Sequence, residues 1–144
     1  MKNLYRSKQY RRKFEKEVHA KITHTSYALY YHLVWSVKRK FHLIDDSIKD
    51  KMTSLLQKKS KELGITILSL GINPEHVHLI LGLKPAHYIP EIVKKLKGFS
   101  AHEINKDGND FIKWTRGYSI RTVGERNLKA AIRYVKSQKK HHQI

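Results

Sequence analysis

The chain has no cysteine among its 144 residues. Disulfides, thiolate metal sites and thiol nucleophiles are therefore excluded, and any metal must sit on imidazole, carboxylate or amide donors. Acidic residues are few. Twelve Asp and Glu stand against 30 Lys and Arg, a formal charge of +18 before any histidine is counted. So large a surplus in a small chain points to a polyanionic partner, nucleic acid first and an anionic membrane surface second. No apolar run approaches the roughly 20 residues of a membrane span. The basic N-terminus lacks the apolar core of a secretory signal. The expected location is the cytoplasm, in association with the nucleoid. No internal repeat or low-complexity linker divides the chain, and 144 residues with a 40% apolar fraction fit one domain with a sizeable core.

What is present falls into a basic arm, residues 1–25, and a folded domain, residues 26–144. In the arm, Tyr5, Tyr10 and Phe14 interleave with Arg6, Lys8, Arg11, Arg12 and Lys13. That pattern suits the stacked bases and phosphates of a single strand, and equally a solvated, partly helical extension. From Ser26 to Lys38, YALYYHLVWSVK reads as a central strand, rich in aromatic and β-branched residues. Asp45 or Asp46 is placed to cap a helix that stops at Gly64, with Ile48, Met52, Leu55, Leu56 and Leu63 at helical spacing. Ile65–Ile72 reads as a second strand. Asn73-Pro74 turns it into a third, from about Glu75 to Leu83, making a hairpin. Pro90 opens a second helix lined by Ile92, Leu96, Phe99 and Ile104. After the loop NKDGND, Phe111–Val123 is expected as a fourth strand, and Glu125–Lys140 as a last helix with Leu128, Ala131, Ile132 and Val135 in its stripe. This order predicts an α+β, ferredoxin-like fold: an antiparallel sheet with helices on one face, the other face left available, and an added C-terminal helix.

Chemistry concentrates in NPEHVHLILGL, Asn73–Leu83. In a strand the i, i+2 spacing puts His76 and His78 on one face and Val77, Leu79 and Leu81 on the other. Two imidazoles so placed suit one shared metal ion, or are packed or surface histidines. Imidazoles buried without partners in an apolar strand would cost about 1–3 kcal/mol each. In the last helix Tyr134 and Gln138 are four apart and stack on one flank of the apolar stripe. That places them at the rim of the core, within reach of a neighbouring strand. Of the other histidines, His24, His32, His42, His87 and His102 are not expected to share a face with His76, and His141-His142 lies in a basic tail.

Taken together, these segments resemble the single-tyrosine HUH transposases (TnpA type) of the smallest insertion sequences, which move as single-stranded DNA. HUH denotes His, a hydrophobic residue, His, here His76-Val77-His78. The family's PDHVH-like string is PEHVH in this chain, a departure at Glu75. YHLVWSVKRK resembles the first strand and its basic exit, IVKKLKGFSAHEI the helix after the histidine strand, and WTRGYSIRTVG the last strand. Asn127, Tyr134 and Gln138 resemble the final helix with its nucleophilic tyrosine. The similarity covers roughly Ser26 to Gln138.

The resemblance implies that His76, His78 and Gln138 hold a divalent metal, Mg²⁺ or Mn²⁺, and that Tyr134 attacks phosphorus to form a 5′-phosphotyrosine link. It implies single-stranded DNA with hairpins at element ends as partner, and a homodimer in which the C-terminal helix can be exchanged. Arg11, Arg12, Lys58, Arg116 and Arg121 are candidates for phosphate contacts. Two other readings fit the charge and the aromatic fourth strand: a non-catalytic single-stranded nucleic-acid-binding domain, and a domesticated HUH nuclease acting on repeated hairpins.

Overall fold

The computed structural model describes residues 12–13, 16, 25–38, 43–106 and 112–141, with side chains described as far as residue 137 at the C-terminal end. The basic arm, Arg11 included, lies almost wholly outside the described residues. Four strands, β1 (Leu29–Ser36), β2 (Thr66–Ile72), β3 (His76–Leu83) and β4 (Ser119–Val123), form one sheet in the order β2-β3-β1-β4. Every neighbouring pair is antiparallel. The helices are α1 (Asp46–Leu63), α2 (Ile89–Asn105) and α3 (Leu128–His141), the last entered through a 3₁₀ turn at Glu125–Asn127. This is the ferredoxin-like arrangement with an added C-terminal helix. No helix among the described residues is long and apolar enough to cross a membrane.

Local chemistry accounts for the helix ends. Asp45 caps α1, its Oδ1 accepting the Ile48 N–H at 2.8 Å, and Gly64 closes the helix in the left-handed conformation at φ 70°. Pro90 lies in the first turn of α2, where no N–H is needed. One side of the sheet packs on α1 and α2. Leu33, Trp35 and Val37 from the β1 segment and Val77, Leu79, Leu81 and Leu83 from β3 meet Met52, Leu56, Ile92 and Leu96 there. A bulge between Ile67 and Ser69 in β2 keeps Ile67 and Leu70 on that side while Ser69 joins the other.

Two expectations need correction. Phe111–Val123 is not one strand. Trp114 makes an isolated bridge to Val37, Gly117 takes φ 78°, and pairing resumes only where Ser119 meets Val34. Between those pairs β1 advances three residues and its partner retreats five, so the segment bulges outward. Lys97 pins the bulge, its Nζ donating to the Thr115 and Gly117 carbonyls at 2.9 Å each, while Trp114 Nε1 donates to the Lys97 carbonyl. These side-chain bonds replace the ladder. Phe111 itself lies outside the described residues. Second, the other sheet face is left open only in part, because α3 packs over its β2 and β3 half. Ile80 and Val135 are fully buried, and register puts Ile80 on this second face beside His78.

Candidate active site

The histidine strand begins at a clamped turn. Asn73 Oδ1 accepts the backbone N–H groups of Glu75 (3.0 Å) and His76 (2.8 Å), and the Asn73 N–H donates to the His76 carbonyl. Neighbouring chain holds the same turn: Val37 N–H donates to Glu75 O and Ile44 N–H to Pro74 O. His76 therefore enters β3 in a defined orientation. The pleat then places His76 and His78 on the face turned toward α3, with ring centroids 6.0 Å apart.

Helix α3 lies over that face through two contacts with β2. Ser69 Oγ donates to the Ile132 carbonyl at 2.9 Å. Gly71, which pairs with His78, lies so close to Val135 that a Cβ added there would overlap the Val135 carbonyl oxygen. Glycine is required here for close helix–strand approach rather than for an unusual φ. With Val135 buried, Tyr134 falls at the rim, 52% exposed. Gln138 is one turn further along α3; its side chain lies outside the described residues.

The sheet also brings in His32. β1 pairs antiparallel with β3, Val34 opposite His78 and His32 opposite Ile80, so His32 is on the face of His76 and His78. Its Nε2 lies 3.3 Å from His78 Nδ1, and its ring stands edge-on to Tyr134 with centroids 6.2 Å apart. The expectation that His32 shares no face with His76 is thus overturned. The signal was present in the alternation of β1: Leu33, Trp35 and Val37 are apolar, whereas His32 and Ser36 sit in the more polar parity. Without the register, that parity had no visible relation to β3. Arg121 pairs with His32 across β4. Burial first, and the Arg121 guanidinium second, hold the His32 imidazole below its ordinary pKa.

The unfolded chain therefore protonates His32 at a higher pH than the fold does. Stability from this group is fully present above the unfolded pKa near 6.5 and is lost as pH falls through the lower folded value. In metal-free protein, urea unfolding should show stability declining as pH drops from about 7.5 toward 5.5. His32→Gln should flatten that slope, and an unchanged slope would refute the assignment.

The other candidates separate. Arg121 borders the histidine face and is exposed. Arg116 is exposed on the bulge before β4, where it lines a groove of about 480 Å³ with Trp114, Tyr118 and Lys94. Lys58 is exposed on α1, which packs on the opposite face of the sheet, so it cannot serve the same phosphate as the histidines. Arg12 is exposed. Asn127 lies in the 3₁₀ turn leading to α3. Among the described residues no three His, Cys, Asp or Glu side chains converge as a metal cage.

Comparison with known proteins follows the same outline. The family of IS200-like transposases matches residues 25–138. The ISDra2 transposase TnpA of Deinococcus radiodurans is 31% identical over 121 residues, covering 78% of this chain and 85% of its own. The transposase for insertion sequence element IS200 of Salmonella typhimurium is 26% identical over 124 residues, covering 81% of each. The crystal structure of a Deinococcus radiodurans transposase superposes with a TM-score of 0.64 at 30% identity, over 80% of this chain and 94% of that one. A REP-associated tyrosine transposase, solved bound to a REP hairpin, shares the fold, with a TM-score of 0.65 at 13% identity over 84% of this chain and 74% of that one. The match runs from just before β1, through the histidine strand, to the helix that carries Tyr134, and on that extent the chain belongs to the IS200-like transposase family, the single-tyrosine HUH transposases.

Proposed function

We propose that the protein cleaves and rejoins single-stranded DNA at insertion-sequence ends, with Tyr134 as nucleophile. The observation that carries this reading is the docking of α3. It sets the exposed Tyr134 edge-on to His32 over the sheet face that presents His76 and His78. The donor set fits a divalent ion. Two imidazoles share one strand face, and Gln138 is one turn beyond Tyr134 on the helix above. With no three His, Cys, Asp or Glu side chains arranged to hold a metal ion among the described residues, further positions fall to amide oxygen, water and phosphate, which suits Mg²⁺ or Mn²⁺. Such an ion, when bound, polarises the scissile phosphate and favours departure of the 3′ oxygen.

The chain's own residues account for the rest. Tyr134 Oη gives up its proton and forms a bond to phosphorus as the P–O3′ bond breaks. The product is a 5′-phosphotyrosine and a 3′-hydroxyl that takes up a proton. A phenol is weakly acidic, with a pKa near 10 in model compounds, so its proton must leave as the bond to phosphorus forms. Attack by a different 3′-hydroxyl on that phosphorus restores the tyrosine and joins a new strand without an energy source. A hairpin at the element end is the proposed recognition element, with Arg116, Arg121, Arg12 and Lys58 as phosphate contacts and the arm, residues 1–25, as a further basic contact. A homodimer is the proposed assembly. In the single chain α3 docks on its own sheet, and in the proposed dimer that helix can be exchanged between protomers.

The test is an adduct. Protein incubated with Mg²⁺ and single-stranded DNA carrying its element's end should yield a protein–DNA species that survives denaturation. Binding with no adduct would leave only the non-catalytic reading. His76→Ala should abolish cleavage while hairpin affinity changes less than about threefold. An equal loss of both would make His76 structural instead.

A further inference from the structure

A metal-ligating imidazole binds through one ring nitrogen and keeps a proton on the other, and the partner of that second nitrogen sets the tautomer and orientation of the ring. In His78 the nitrogen already engaged is Nδ1, 3.3 Å from Nε2 of His32. The pairing of β1 with β3 forces this meeting. His32 sits one step diagonally from His78 on the same face, and the two rings lie 5.6 Å apart at 33°. Tyr134 borders His32 edge-on, so the same imidazole touches both the histidine string and the tyrosine.

We infer that His32 is a positioning residue: its Nε2 accepts the Nδ1–H of His78, which leaves the lone pair of His78 Nε2 to face the metal. The inference rests on the metal role proposed above for His76 and His78. In this arrangement His32 carries its own proton on Nδ1. An imidazole that ligated the metal through Nε2 would have no lone pair there to accept from His78, so the positioning role and a direct ligand role exclude one another.

The tautomer can be read without metal or DNA. In full-length protein with ¹⁵N-labelled histidine and a chelator, His78 should carry its proton on Nδ1. In His32→Phe, which keeps a planar ring but no acceptor, the Nε2–H form favoured by free imidazole should return. In His32→Gln the amide oxygen can accept, and the native tautomer should be retained at least in part. Mn²⁺ affinity, followed by the electron paramagnetic resonance of the free ion, should fall about 10–100-fold in His32→Phe and less in His32→Gln. A proton on His78 Nε2 in the unsubstituted protein overturns the inference, and that measurement needs no variant to fold. An unchanged tautomer in His32→Phe, or equal loss of Mn²⁺ binding in both variants, also overturns it. Absence of Mn²⁺ binding by the unsubstituted protein would instead remove the metal role of His76 and His78, and the ¹⁵N spectra would still decide what His32 does to His78.

Discussion

Tyr134→Phe should abolish the covalent adduct and lower single-stranded DNA cleavage by about 10⁴-fold or more, the scale of loss when a nucleophile is deleted. The substitution removes one hydroxyl from a side chain that is 52% exposed. The ring that stands edge-on to His32 is retained, and α3 still docks through Val135 and the Ser69–Ile132 bond. Stability should therefore change by less than about 0.5 kcal/mol, a melting shift of roughly 2 °C or less. Hairpin affinity should be kept, because the phosphate contacts lie elsewhere. Denaturing electrophoresis of labelled DNA and a melting curve check both halves. An adduct formed by the Phe variant would assign the nucleophile to another residue.

Gly71→Ala should disable the site from a position with no chemistry of its own. The added methyl would overlap the Val135 carbonyl oxygen, a backbone atom inside a helix that has no side-chain torsion to relieve the clash. Ser69 holds the neighbouring turn through the Ile132 carbonyl, so α3 must lift as a body. Lifting it exposes Val135 and Ile80, both fully buried, and carries Tyr134 away from His32. Overpacking against backbone belongs at the upper end of the usual cost, about 3 kcal/mol, or a melting temperature lower by roughly 6–12 °C. Cleavage should fall with it, and amide exchange in α3 should quicken while β1, β3, α1 and α2 stay protected. Gly98→Ala is the control. A Cβ at Gly98 meets nothing within 4 Å in mid-α2, so it should be neutral or stabilise by up to about 1 kcal/mol. Unchanged melting and exchange for Gly71→Ala would disprove the docking argument.

Much of this protein is legible in its sequence. Asp45, Gly64 and Pro90 mark helix ends because capping and φ restrictions act within a few residues. The alternation in HVHLILGL separates the histidines from Val77, Leu79 and Leu81 because strand parity is local. The stripe in the last helix foretells a buried Val135 with Tyr134 at its rim. The fourth strand is less legible. FIKWTRGYSIRTV has a strand-like composition, but Lys97 and Trp114, on separate elements, hold a bulge where a ladder was expected.

By itself, then, the sequence determined the order of elements, the parity of the histidine strand and the face of the last helix that carries Tyr134. Each follows from periodicity and capping over a few residues. Only the tertiary structure decided that α3 crosses the second sheet face, that Gly71 lets it approach, and that His32 stands between His78 and Tyr134. Those outcomes depend on antiparallel register, which sets His32 one step from a residue 46 positions away. They depend equally on steric fit between a glycine in β2 and a carbonyl in α3, and no local pattern encodes that distance.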